Sequence, residues 1–205
     1  MRLLRGKGKG DSFWCDALIE DANVARVRSE DIAAPPKIVY RWLCQLRVSA
    51  YSYGWADSGV YRSPRELMPG LDRLQLGQTM MGVYELAHLV PGRELTVRLD
   101  RGRMAERGLE RWHAPAATTY LLTGGATSSR LVAKSVTAFP GGFRWRMVRW
   151  IVRPVDRLVL KRQLRTLKRM AERDWARERE RPVASEDVPL AVVALPAPKR
   201  ESVAN

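Results

Sequence analysis

The stretch Ala117–Trp145, ATTYLLTGGATSSRLVAKSVTAFPGGFRW, changes its period once, and that change decides the fold. Ala117–Thr123 and Arg130–Thr137 alternate apolar with polar residues and flank the turn signal Gly124-Gly125, the pattern of an antiparallel hairpin. After Phe139-Pro-Gly-Gly142 the period becomes helical. Val148, Val152, Val155 and Val159 fall on one face, and so do Leu160, Leu164, Leu167 and Ala171. Pro154 lies inside this run and is expected to kink or break it, because proline lacks a backbone donor and crowds the preceding turn.

Upstream of the hairpin the same two-residue period recurs. Thr79–Leu89 reads as a strand, Pro91-Gly92-Arg93 as a turn, and Glu94–Asp100 as a second strand. In that second strand Leu95, Val97 and Leu99 share the buried face, which leaves Glu94, Arg98 and Asp100 for solvent. Residues 101–116 are less regular, with a further strand expected around Leu109–Trp112. Nearer the start, Val24–Ile32 suits a first strand. Pro36–Arg47 suits a helix entered through Pro35-Pro36, with Ile38, Val39, Trp42, Leu43 and Leu46 as its apolar stripe. Hairpins in succession imply a meandering antiparallel sheet, and only the C-terminal helix is long enough to cover its apolar face. The expected class is α+β: a curved antiparallel sheet wrapped around a long C-terminal helix, with an internal cavity. Residues 24–181 form this domain, 1–23 a flexible basic lead and 182–205 a disordered tail.

The chain has 205 residues and a net charge of +14, so it favours anionic partners. Most of the excess lies between Arg144 and Arg181, where fourteen basic residues face five acidic ones. Cys15 and Cys44 form no paired motif, so a reduced, cytoplasmic protein is expected, with peripheral attachment to a membrane as its second location. The basic opening leads into no apolar segment of the kind a secretory signal needs, and no run is long enough to span a bilayer.

Several blocks in order resemble the START-like helix-grip superfamily, also called SRPBCC or polyketide cyclase/dehydrase-like. They are Ile32–Leu43 (IAAPPKIVYRWL), Tyr51–Asp57 (YSYGWAD), Arg62–Leu67 (RSPREL), Leu76-Gly77, Pro91–Thr96 (PGRELT) and Leu160–Arg173 (LKRQLRTLKRMAER). The middle blocks are similar to those of an uncharacterised bacterial subgroup, other members of which carry Asp at the position of Gly54 and Asn at that of Ser58. The resemblance spans about residues 24–173. It implies the helix-grip fold and a cavity for a hydrophobic or amphipathic ligand, and no particular reaction.

The link Ser49–Leu67 concentrates aromatic and charged side chains without a period. Tyr51, Tyr53 and Trp55 suit an aromatic wall, with Asp57, Arg62 and Arg65 as directional groups at its mouth. The plainer reading is that the aromatics plug one end of the sheet and Asp57 pairs with Arg62 or Arg65. Trp42, Met80, Tyr84, Tyr120 and Leu122 are the other expected lining residues, with plain core packing as the competing assignment. His88 and His113 lie in separate segments without a third ligand at metal spacing, so no metal site and no cofactor are expected. A general-base role for either histidine competes with plain surface or strand-edge placement, and Asp57 is the weak catalytic candidate.

Arg144, Trp145, Arg146, Arg149, Trp150 and Arg153 interleave cations with indoles. That pattern suits an anionic membrane surface, or the solvated back of a packed helix. No nucleic-acid signature accompanies the charge, and nucleic acid is disfavoured as a partner. The leading function is binding, with possible transport, of a small hydrophobic or amphipathic molecule. The alternatives are a cofactor-free cyclase or dehydratase and a scaffold whose basic helix binds an acidic partner.

Overall fold

The computed structural model describes residues 13–51, 63–109 and 114–180, apart from the side chains at 144, 148, 149 and 151–157. The elements run α1 (Trp14–Leu18), β1 (Val24–Ile32), α2 (Pro36–Cys44), β2 (Thr79–Met80), β3 (Tyr84–Val90), β4 (Glu94–Leu99), α3 (Arg101–Glu106), β5 (Ala116–Gly124), β6 (Ser129–Thr137) and α4 (Phe143–Glu180). The strands form one antiparallel sheet in the order β1-β6-β5-β4-β3-β2. The sheet is curved and unclosed, and α4 packs against it. This is the helix-grip architecture.

The β5–β6 hairpin pairs from Ala116↔Thr137 to Gly124↔Ser129. A Cβ at Gly124 would lie 2.4 Å from the Ser128 carbonyl oxygen, so only glycine closes this corner without a shift. Pro36 occupies the first turn of α2, where its missing N–H costs nothing. Ile38, Val39, Trp42 and Leu43 are buried from that helix, and a 3-10 turn over Gln45–Arg47 carries Leu46 into the same core.

Four expectations change. Thr79–Leu89 is two strands, because Met81 (φ 48°) and Gly82 (φ 79°) turn the chain between β2 and β3. The stretch after β4 opens with α3, which Asp100 caps by accepting from the backbone N–H groups of Gly102 (2.8 Å) and Arg103 (3.2 Å). The strand expected at Leu109–Trp112 falls, for 110–112, outside the described residues. The helix α4 is unbroken across Pro154 over 38 residues, about 57 Å at 1.5 Å per residue. One lost backbone bond does not outweigh the packing of Leu160, Leu164, Leu167 and Ala171 further along.

The fourth change concerns the outer face of the sheet. Part of the lead expected to be flexible is α1, which sits on that face. Cys15, Ile19, Ala117, Val136 and Ala138 form a second buried cluster there. The Cys15 N–H donates to Thr119 Oγ1 at 2.9 Å, and Thr119 and Thr96 share a hydroxyl bond of 2.9 Å. Lys134 pairs with Asp16 at 2.6 Å, and Trp14 stacks on His88 with centroids 4.2 Å apart. Thr96, on the polar face of β4, is therefore fully buried, whereas Arg98 stays exposed and pairs with Glu85.

Candidate ligand cavity

Side-chain size along the inner face explains where space is left. On β5 the inward residues run Leu122, Tyr120, Thr118, Ala116; on β6 they run Leu131, Ala133, Ser135, Thr137. At the Leu122–Leu131 end, Ile32, Leu86 and Leu95 join Leu164, Leu167, Ala171 and Trp42 in one close-packed cluster. Toward Ala116–Thr137 the side chains shorten, and the sheet and helix no longer meet. The result is a cavity of about 390 Å³, lined among others by Arg26, Tyr84, Thr118, Tyr120, Ser135 and Gln163. That falls within the usual range for small-molecule pockets.

Gln163 organises the inner end. The Tyr120 hydroxyl donates to Gln163 Oε1 at 2.7 Å, and Gln163 Nε2 donates to the Ala50 carbonyl at 2.7 Å. Both side chains are almost fully buried. Burial, and then the nearby Tyr84, push the Tyr120 phenol well above the range of a free tyrosine, while the bond to Gln163 pulls the other way. Tyr120 therefore stays protonated and acts as a hydrogen-bonding group rather than a base. Across the sheet, Thr118 Oγ1 donates to Ser135 Oγ at 3.1 Å. Met81, Leu99, Phe139, Val159 and Leu160 supply the apolar wall.

Of the lining residues expected from sequence, Tyr84 and Tyr120 are on the cavity wall. Trp42, Met80 and Leu122 are in the packed core instead. The Trp42 Nε1–H donates to Asp174 Oδ2 at 3.0 Å, and the Arg173 guanidinium lies 5.9 Å from its ring, so this indole anchors α2 to α4. Tyr51 is buried with φ 53° and meets Trp42 edge-on at 6.0 Å. Its buried hydroxyl has no hydrogen-bond partner among the described residues, and burial raises its phenol. Tyr53, Trp55, Asp57 and Arg62 lie outside the described residues.

Arg65 is exposed, and its carbonyl accepts from Arg173 at 2.6 Å. Among the described residues of this segment, Glu66 pairs with Arg177 (3.2 Å) and Arg173 (3.7 Å), and Gln45 bonds both the N–H and the carbonyl of Met68. His88 lies under Trp14 on the outer face, away from the cavity, and His113 is outside the described residues. Among the described residues, no three His, Cys, Asp or Glu side chains are grouped to hold a metal.

Sequence reasoning missed Gln163, Arg26, Thr118 and Ser135. A signal for Gln163 existed: it is a polar residue set between Leu160 and Leu164 on a face otherwise apolar. The small inner residues of β5 and β6 were also legible, once the face they occupy is compared by volume rather than polarity.

On α4 the expected interfacial set divides. Trp145 is half-buried, with its ring 6.1 Å from that of Phe139. Trp150 is 75% exposed and Phe143 72%, with Met147 and Leu158 also exposed. At about 100° per residue, Phe143, Met147, Trp150 and Leu158 fall in one stripe on the side away from Gln163. Arg146 is exposed beside them, its guanidinium 5.6 Å from the Phe143 ring. The side chains of Arg144, Arg149 and Arg153 lie outside the described residues. No described helix is long and apolar enough to cross a membrane.

No protein-family model matches this chain, and no curated protein sequence matches it either. Several solved structures are similar to it. The ZhuI aromatase/cyclase from Streptomyces sp. R1128 is 11% identical with a TM-score of 0.45, over 73% of this chain and 94% of that one. A norcoclaurine synthase variant from Thalictrum flavum is 9% identical with a TM-score of 0.42, over 74% and 96%. The di-domain aromatase/cyclase StfQ of the steffimycin pathway is 14% identical with a TM-score of 0.42. This chain covers about half of it (53%), matching with 76% of its own length.

Proposed function

We propose that this protein binds a small amphipathic molecule between its sheet and α4. The observation that carries the reading is the cavity itself, a space of about 390 Å³ with apolar walls and a few fixed polar groups. Holding a guest is favoured over converting it. Among the described lining residues the titratable side chains are Arg26, Tyr84 and Tyr120, with no carboxylate or imidazole to move a proton near neutral pH. The rival reading, a cofactor-free cyclase or dehydratase, needs such a group, and Asp57 is its candidate.

The test is titration with N-phenyl-1-naphthylamine, a neutral probe that fluoresces in apolar sites. The wild type should give a saturable one-to-one signal. Thr118→Phe, which places a ring in the cavity, should abolish it while keeping the circular dichroism spectrum. A wild type without saturable binding, or a Thr118→Phe variant that binds equally well, sinks the reading.

The exposed stripe on α4 favours a second element: guest exchange at an anionic lipid surface. Phe143 and Trp150 supply interfacial aromatics, and Arg146, Lys161 and Arg165 are exposed cations on the same helix. Cosedimentation should rise when phosphatidylglycerol is added to phosphatidylcholine vesicles, and should fall in Phe143→Ser/Trp150→Ser. Equal sedimentation with both vesicle types would remove the membrane from the proposal.

A further inference from the structure

One backbone group sets the hydrogen-bond polarity at the inner end of the cavity. The Ala50 carbonyl can only accept, so Gln163 must turn its Nε2 toward it, at 2.7 Å. The amide oxygen then faces Tyr120, 2.7 Å from the phenol oxygen, and the phenol has to donate. Gln163 Nε2 also lies 3.5 Å from Met81 Sδ, a weak acceptor for its second N–H.

Every donor of the Tyr120–Gln163 pair is thereby spent. What remains is acceptor capacity: a second lone pair on Gln163 Oε1 and the lone-pair side of the Tyr120 oxygen. Both residues line the cavity, and at 2% and 4% exposure they are nearly sealed from bulk water. The Thr118–Ser135 pair further along has no such bias. Thr118 donates to Ser135 at 3.1 Å, which leaves the Ser135 O–H to donate and the Thr118 oxygen to accept.

We propose that Gln163 makes the inner end a subsite that reads donors, and that the guest is a neutral molecule bringing an alcohol or phenol O–H to it. The inference rests on the cavity reading and narrows it to a chemical class. An ether or ester end would set its oxygen against two acceptors and gain nothing there. A carboxylate would add charge to the same mismatch. An ammonium brings donors, but no carboxylate stands among the described lining residues to balance its charge.

The experiment is displacement of bound N-phenyl-1-naphthylamine by 1-decanol and by 1-methoxynonane, which have the same number of heavy atoms. Both carry an acceptor oxygen, and only the alcohol carries a donor. The alcohol should compete about twofold to tenfold better, the range of one net hydrogen bond. The Ser135 hydroxyl can serve either oxygen, so it drops out of the ratio, as does any change in the affinity of the probe.

Gln163→Leu frees the Tyr120 O–H, which can then donate to the ether. The ratio should fall to about one, chiefly through tighter binding of the ether. A merely structural role for Gln163 would weaken both competitors alike and leave the ratio where it was. Tyr120→Phe leaves Gln163 Oε1 with both lone pairs open and should keep the preference for the alcohol.

Equal competition by alcohol and ether in the wild type overturns the donor-reading subsite while the cavity reading stands. A preference that survives in Gln163→Leu overturns the assignment to Gln163. Failure of the probe to bind the wild type overturns both readings. Where circular dichroism shows Gln163→Leu misfolded, Tyr120→Phe decides: a retained preference supports the role of Gln163, and a lost one overturns it.

Discussion

The two ends of the inner sheet face use the same strands, the same alternation and the same covering helix, yet one is solid and the other hollow. At the solid end Leu122 and Leu131 meet Leu164 and Leu167, and each is buried to within a few per cent. Four to six residues along the same strands, Thr118, Ser135 and Thr137 take the inward positions and line open space. Backbone geometry does not separate the two ends, since the β5–β6 register runs without a shift from Ala116 to Gly124. Side-chain volume separates them. The inner face is therefore divided by residue size into a packed end and an open one.

The sharpest way to break the comparison is to hollow the solid end. Leu167→Ala removes a fully buried side chain from the seam between α4 and the sheet. It should cost about 2–5 kcal/mol in urea unfolding. A loss below about 1 kcal/mol would mean that this end is not the close-packed one.

A second test uses alkali, which acts on the α2 side of the core. Burial raises the Cys44 thiol from its ordinary 9.0 to about 12 and the Tyr40 phenol from 10.0 to about 12. Both groups hold their protons more tightly when folded. Their contribution to stability is thus fully present below about pH 9 and is lost as pH climbs from there toward 12. Unfolding midpoints measured across that window should fall, and should fall less steeply in Cys44→Ala. An unchanged slope in that variant would mean that Cys44 is not the group titrating.

A matched pair comes next in size. Ala133 and Ser135 are inward neighbours on β6, two residues apart. Ala133→Leu overfills the core beside Tyr120 and should cost about 1–3 kcal/mol. Ser135→Leu enters the cavity and should stay within about 1 kcal/mol of the wild type, while weakening probe binding. Equal penalties at the two positions would erase the distinction between the ends.

Period alone made most of the fold legible. The switch from alternation to a helical stripe after Phe139 placed the hairpin and α4, and Pro35-Pro36 placed α2. What escaped had a physical reason in each case. Met81 carries a positive φ that no residue preference announces, so β2 and β3 read as one strand. Pro154 promised a kink or a break, and the helix runs on through it unbroken. Trp42 and Met80 looked like cavity aromatics and thioethers because bulk and apolarity suit a wall and a core equally. Thr118 and Ser135 went unnoticed because a pocket is defined by what is missing from a face, and small polar residues on a strand look like a solvated edge. Tyr53, Trp55, Asp57 and Arg62 belong to a stretch without a period, where sequence proposes chemistry but supplies no geometry.

The smallest expected effect concerns the back of α4. Leu160 and Leu158 are two residues apart on one helix, yet Leu160 is 8% exposed and Leu158 57%. The difference is rotation about the helix axis: Leu160 faces the sheet, and Leu158 continues the stripe of Phe143, Met147 and Trp150. An exposed side chain gives up little on truncation, because it was never withdrawn from water. Trp150→Ser should therefore shift folding stability by no more than about 0.5 kcal/mol, measured by urea unfolding. A loss of 2 kcal/mol or more, on the order of a buried side chain, would show that the indole is covered in the folded chain. The stripe would then be part of the core, and an indole already covered could not meet a lipid surface.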